Sequence, residues 1–346
     1  MAYRIHFTVQ DLARTRVAEV PPPLFELSTA VRVLRDREHP VRFDAWRRRV
    51  RQGLRPQARM MFDLVPPLGV VPGFLAAPGI GSPREMLDRA RATPRSVVRA
   101  DLAHVAEHQP LPSWTRQLPD DRDLLRALFD SLEHVYGQVL EPHWEQVRSL
   151  AAADRSARMR QVLGGGMEVL LAAVNPGRIR WRPPVLEVTM ASGYDDDLYL
   201  RGQGLLLVPS AFGVEAPVID PDAEPQPVLT YPAGIDPHAR SLPVFATAPD
   251  GDEGQGRRAP TAGSLASLVG HTRAGVLHTI AEHPGCSTKE LAVLVGIAPA
   301  SASEHATTLR EAGLVSTTRN RNAVLHSPTS LGVSLLNGGQ AAPGRA

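Results

Sequence analysis

Few side chains in this sequence are spaced for chemistry. His104 and His108 stand four residues apart, which puts both imidazoles on one face of a helix where they could share a metal ion. No third ligand is apparent beside them, and a polar helix face is the plainer reading. Asp195-Asp196-Asp197 offers the oxygen ligands that Ca²⁺ or Mg²⁺ requires, although consecutive aspartates more often form a solvated turn. Gly164-Gly165-Gly166 would suit a phosphate cradle only after a strand and before Gly-Lys-Ser/Thr; lacking both, it reads as a helix break or a close helix packing. Cys286 is the single cysteine, which excludes an intrachain disulfide and a multi-cysteine metal site. It reads as a small residue ahead of a helix cap, with a redox-sensing thiol as the sharper alternative. The chain has no Gly-x-Ser-x-Gly elbow, no His-Glu-x-x-His, and no Gly-x-Gly-x-x-Gly opening a helix after a strand. The sequence thus predicts no catalytic residue, no metal and no cofactor, and argues against an enzyme.

The better-organised chemistry is that of recognition, in Cys286 to Ser327. Ser287 or Thr288 can cap a helix, with Glu290 placed to satisfy an orphan amide. Gly296 suits a left-handed helix end, and Ala298-Pro299 opens a second helix where proline's missing donor costs nothing. Two short helices joined by a glycine-containing turn are a helix-turn-helix signal. The spacing predicts a helix over Pro299 to Ala312 with Ala302, Ala306, Leu309 and Gly313 facing the core. Ala300, Ser301, Ser303, Glu304, Thr307, Thr308 and Glu311 then take the outer face. Such a helix is about 20 Å long, enough to lie in a major groove. Leu314 to Thr318 and Ala323 to His326 read as strands on either side of a basic tip, Arg319-Asn320-Arg321-Asn322.

Glu290-Leu291-Ala292, the Ser303-x-His305 pair and the passage Leu309-Arg310-Glu311-Ala312-Gly313-Leu314-Val315 resemble the winged helix-turn-helix of ArsR/SmtB-like transcription regulators over about the last quarter of the chain. The resemblance implies a DNA-binding repressor or activator that works as a homodimer on double-stranded DNA, its dimer interface formed by the helix before the motif and by one near Thr329 to Leu336. The helix from Pro299 would enter the groove with Ser301, Ser303, Glu304 and His305 near bases, although core packing is the plainer reading of His305, which borders the inner stripe. Thr288, Lys289, Thr307 and Thr308 would approach phosphates, and Arg319, Asn320 and Arg321 the adjacent minor groove or backbone. The metal-sensing members carry a Cys-x-Cys pair near the start of the recognition helix, and this stretch has none, so metal is not the expected signal. Glu304 stands where Arg or Gln is usual; it suits hydrogen bonding from a cytosine amine better than phosphate contact.

At 346 residues the chain exceeds one compact core. Its 43% hydrophobic and 21% charged residues are ordinary for a soluble globular protein, and no apolar run reaches a membrane span or a signal-peptide core, so a cytoplasmic location is expected. Net charge is +2, and Lys289 is the only lysine, so arginine abundance by itself is no nucleic-acid footprint. From residue 261 onward the basic residues are Arg273, Lys289, Arg310, Arg319, Arg321 and Arg345, against Glu282, Glu290, Glu304 and Glu311. So slight an excess calls for two-fold avidity or good base contacts.

Ahead of the motif, helices are predicted over Leu24 to Arg37, Phe43 to Leu54, from Ser82, and from Asp120 to about Leu150 with a break at Pro142, then over Asp154 to Val174. The basic run Trp46 to Arg51 reads as a solvated helical face. Val185 to Met190, Leu198 to Phe212 as one strand or two, Val228 to Tyr231 and Leu242 to Phe245 read as strands. The fold class predicted is α+β. A mixed helical and antiparallel-sheet domain over 1–247, helical over 1–180 and strand-rich over 181–247, would sense a small-molecule effector or dimerise. A linker over 248–263 joins it to a winged helix-turn-helix over 264–337 with a disordered tail over 338–346. His143-Trp144, Asp154-Arg155, Arg180-Trp181, Leu186-Glu187-Val188 and Gly202-x-Gly204 to Ser210 resemble the N-terminal region of a group of actinobacterial ArsR-like regulators, which leaves the signal open. The alternative reading is an enzymatic or small-molecule-binding N-terminal domain with the winged helix used for protein interaction.

Overall fold

A computed structural model describes residues 2–36, 39–67, 69–76, 81–190, 193, 195–213, 216–233, 269–320 and 323–336. The strand expected over Leu242 to Phe245, the linker and the tail lie outside these residues. The chain divides into two compact units, Met1–Asp36 with Val50–Ile235, and Arg37–Arg49 with Asp236–Ala346.

The first unit opens with β1 (Tyr3–His6) and α1 (Val9–Arg14), started by a capping box between Thr8 and Asp11. β2 (Arg16–Val17) and α2 (Pro23–Arg35) follow, and α2 buries the predicted stripe Leu24, Leu27, Val31 and Leu34. α3 (Pro40–Gly53) crosses the boundary between the units. Its Arg47 is only 2% exposed and ion-paired with Asp44, so the basic run is not the fully solvated face that charge alone suggested. Then come α4 (Arg59–Leu64), α5 (Gly73–Ala76), α6 (Pro83–Arg91), α7 (Arg95–His108), α8 (Arg122–Val139) and α9 (Trp144–Ala173). A 3-10 turn at Glu141–His143 separates α8 from α9, where Pro142 was expected to break the helix. The triple glycine is a kink inside α9: Gly166 has φ 79°, and the space beside Gly164 and Gly166 is open.

The strands β3 (Ile179–Arg182), β4 (Val185–Val188), β5 (Asp197–Tyr199), β6 (Leu206–Ser210), β7 (Val218–Asp220) and β8 (Val228–Pro232) form two sheets with β1 and β2. One has the order β3-β4-β1-β5, antiparallel except for β1 with β5; the other is β2-β6-β8-β7, parallel except for β7 with β8. The mixed helix-and-sheet class holds, but the antiparallel pairing is corrected to a mixture. For β1 and β2 the cause is topological: their parallel partners lie 190 or more residues later in the chain, and crossovers that long permit parallel entry. Leu198 to Phe212 is two strands, in different sheets. Between them Gly204 has φ 75°, and a Cβ there would stand 2.6 Å from the Arg14 carbonyl carbon, so only glycine fits.

Three buried acidic residues tie this unit together. Asp11 accepts from the Gly204 amide at 2.9 Å. Glu26 accepts from the Ser210 hydroxyl (2.7 Å) and from the amides of Ala211 (2.7 Å) and Phe212 (3.1 Å). Asp154 is paired with Arg158 at 3.1 Å and accepts the Tyr231 hydroxyl at 2.5 Å, while Arg158 also donates to the Ala173 carbonyl. Burial first, then the Asp154 charge, pushes the Tyr231 hydroxyl well above its usual range, so it stays a donor. Asp195 and Asp197 are exposed, in keeping with the solvated reading of their run, and both are paired with Arg4 at 2.8 Å.

The second unit holds α10 (His271–Glu282), β9 (Cys286–Ser287), α11 (Thr288–Val295), α12 (Pro299–Glu311), β10 (Val315–Asn320), β11 (Ala323–Pro328) and α13 (Ser330–Leu336). The strands pair antiparallel in the order β10-β11-β9. Val276, Leu277, Ile280, Leu291, Ala302, Ala306, Leu309 and Val315 make its core. The segment from residue 39 belongs here too, His39 Nδ1 lying 3.0 Å from a Glu282 carboxylate oxygen.

Candidate nucleic-acid interface

Local chemistry sets the two helices of the motif. Ser287, not Thr288, is the cap of α11: its hydroxyl accepts the Glu290 amide at 3.3 Å, and Glu290 accepts the Ser287 amide at 2.8 Å. Those bonds to the carboxylate hold Glu290 below its usual range. Gly296 ends the helix at φ 72°, ψ 35°, and Pro299 starts α12 one short turn later. Ala302, Ala306 and Leu309 are buried as predicted. Gly313 is not: α12 stops at Glu311, and Gly313 is exposed at φ 72° as the residue that turns the chain into the wing.

Seen from outside, α12 presents Pro299, Ser303, Glu304 and Thr308 exposed, with Ser301, His305 and Thr307 half-buried along its flanks. The Thr308 hydroxyl donates back to the Glu304 carbonyl at 3.0 Å, which leaves its oxygen able to accept. Lys289 is exposed on α11. Arg319 is exposed on β10 and sits opposite Val324 in the ribbon. Asn320 closes the pairing with Ala323, its side chain outside the described residues, as is all of Arg321. The structure therefore gathers the base-side candidates on one helix, with Arg319 on the strand that packs against that helix.

Thr288 is used differently from expectation. It is half-buried, and its hydroxyl lies 2.8 Å from Nε2 of His326, a buried residue of β11. This bond, unforeseen in the sequence, ties the first turn of the motif to the wing. Burial, helped by the positive charge of Arg310, holds His326 below the usual histidine range, and its Nδ1 is buried without a hydrogen-bond partner among the described residues. Cys286, beside it in the sheet, is buried, and burial with the Glu290 charge pushes its thiol up to about 11. A thiol so protonated is a poor nucleophile, which opposes the redox-sensor reading.

A helix pair closed by a two-stranded ribbon, with its second helix polar outside and apolar inside, is a winged helix-turn-helix domain. A family model described as MarR family matches residues 269–323, which places this domain among DNA-binding transcription regulators. No curated protein and no solved structure matches the chain. Among the described residues no helix is long and apolar enough to cross a membrane.

Proposed function

We propose that this protein is a homodimeric transcription regulator that inserts α12 into the major groove of double-stranded DNA, with the wing against the neighbouring backbone. The observation that carries the reading is the division of α12. Its inner face is wholly committed to the core while Ser303, Glu304 and Thr308 stand exposed with hydrogen-bonding atoms outward. The match at residues 269–323 supports a DNA-binding regulator domain, and the resemblance of Leu309 to Val315 to ArsR/SmtB-like regulators favours this mode of insertion. Ser303 and Glu304 read base edges, Lys289 and Thr307 approach phosphates, and Arg319 with Arg321 neutralises backbone charge. Two copies would read half-sites about one helical turn apart. The first unit would receive a small-molecule effector and is not read as a catalyst. The protein-interaction alternative is weaker, because the large apolar residues exposed among the described residues of this unit, Val293, Leu294, Val324 and Leu331, all lie off the outer face of α12.

A gel-shift assay with the DNA upstream of the protein's own gene tests this. Wild type should bind at low salt, and Arg319→Ala/Arg321→Ala should bind more weakly, with a salt slope shallower by about 0.9 per lost phosphate contact. Absence of any shift at low salt removes the DNA-binding reading; equal binding by both proteins removes the role of the wing.

A further inference from the structure

We infer that the last turn of α7 binds a late first-row divalent metal ion through His104, Glu107 and His108. One ligand atom from each residue lies within 4.8 Å of the other two, and all three side chains are exposed, so an ion reaches them without movement of the core. Positions i, i+3 and i+4 of a helix are surface neighbours, and the two imidazole centroids are 4.6 Å apart.

A second observation orients one ligand. His108 Nδ1 lies 2.8 Å from the His104 carbonyl oxygen. A carbonyl can only accept, so Nδ1 carries the proton and Nε2 keeps its lone pair for a metal. Histidine ligands are commonly fixed in this way by a bond from the other ring nitrogen. The turn itself is anchored: Leu102 and Val105 are buried on its far side, and the Gln109 side chain bonds the Val70 amide and carbonyl at 2.9 and 2.8 Å. The ligands also stand at the negative end of a 14-residue helix, which favours a cation.

Two imidazoles and one carboxylate suit Zn²⁺, Co²⁺, Ni²⁺ or Cu²⁺ far better than Ca²⁺ or Mg²⁺. Water would complete the coordination. Zinc peptidases also use a His-x-x-Glu-His spacing, with the glutamate as base. Here the open, exposed helix face favours binding alone. Glu107, three residues from His104, is the third ligand. None of this depends on DNA binding by the other unit.

The test is calorimetric titration of Zn²⁺ into the full, tag-free chain after removal of metal by a chelator. Wild type should take up one equivalent that His104→Ala and His108→Ala each weaken about tenfold or more; Glu107→Gln should weaken it less. Helical circular dichroism should be unchanged in all three variants, since the side chains are exposed, and His39→Ala should bind like wild type. The site is overturned by absence of a stoichiometric equivalent in the wild type, by binding that survives both histidine substitutions, or by loss of binding in His39→Ala. Unchanged affinity in Glu107→Gln removes the carboxylate from the ligand set.

Discussion

The first unit and the winged helix use polar groups differently. In the first, carboxylates go inward: Asp11, Glu26 and Asp154 are buried, and each meets donors from a distant part of the chain. In the winged helix the core is almost wholly apolar, and the polar side chains of α12 point outward. Buried hydrogen-bonded charges cost too much to leave unpaired, so they fix which strand meets which helix. Exposed polar groups cost the fold almost nothing and remain available to a partner. The first unit thus spends its buried carboxylates on its own architecture, whereas the polar side chains of α12 remain open to a partner.

The sharpest way to break that contrast is Asp154→Ala. Arg158, with its side chain only 5% exposed, would lose its counter-charge, and the Tyr231 hydroxyl its acceptor. The expected loss is about 3–5 kcal/mol, the cost of leaving a buried charge uncompensated. Peptide-resolved hydrogen exchange in urea should show it in peptides from α9 and β8. A loss below about 1 kcal/mol would mean that this network is not what holds the unit together.

Next in size comes a buried polar link of the winged helix, that of Thr288 with His326. Thr288→Val leaves His326 Nε2 unpaired as well as Nδ1, for a cost of about 1–3 kcal/mol. The burial of His326, with the nearby Arg310 charge, also makes stability depend on pH. Because the folded His326 is held below the usual value of about 6.5, the unfolded chain binds its proton more readily. Between those two values the unfolded state carries more protons, so stability rises with pH. The contribution is complete above the usual value and is lost as pH falls below it, down to the folded value. Urea unfolding at pH 7.5 and 5.5 should therefore show a larger loss in wild type than in His326→Gln; equal losses would place the pH dependence on other histidines. Cys286 offers a kinetic counterpart. With its thiol pushed up to about 11, alkylation at pH 8 should be slow in the native protein and fast in urea. Rapid native alkylation would revive the redox-sensing thiol.

How much of this could be read in advance follows from sequence distance. The winged helix is written in short-range signals: the Ser287–Glu290 box spans three residues, Gly296 and Pro299 sit at their helix ends, and the buried stripe of α12 follows its helical period. Even there, Thr288 with His326 was missed, because 38 residues separate them and neither type announces the other. In the first unit the decisive pairs are Glu26 with Ser210 and Asp11 with Gly204, 184 and 193 residues apart. Helices and strands were legible from their periods, whereas sheet order and strand direction depend on such closures and left no local trace. Glu107 is the reverse case. It stands three residues from His104 on the same helix, a local spacing that the sequence carries openly.

The smallest expected stability effect is the most telling for function. Ser303→Ala and Glu304→Gln alter exposed side chains that nothing in the core requires, so unfolding should move by no more than about 0.5 kcal/mol. If α12 reads bases, the same substitutions should change which DNA is preferred, each lost base contact being worth about 1–3 kcal/mol of discrimination. Fragments selected by the wild type and by Glu304→Gln, sequenced and aligned, make the comparison. A single half-site position changing its preferred base would assign Glu304 to that position, because phosphate contacts shift affinity alike for all sequences. Identical selected sequences would make α12 a docking helix without a reading role, and the distinction drawn between the two units would then rest on the wing alone.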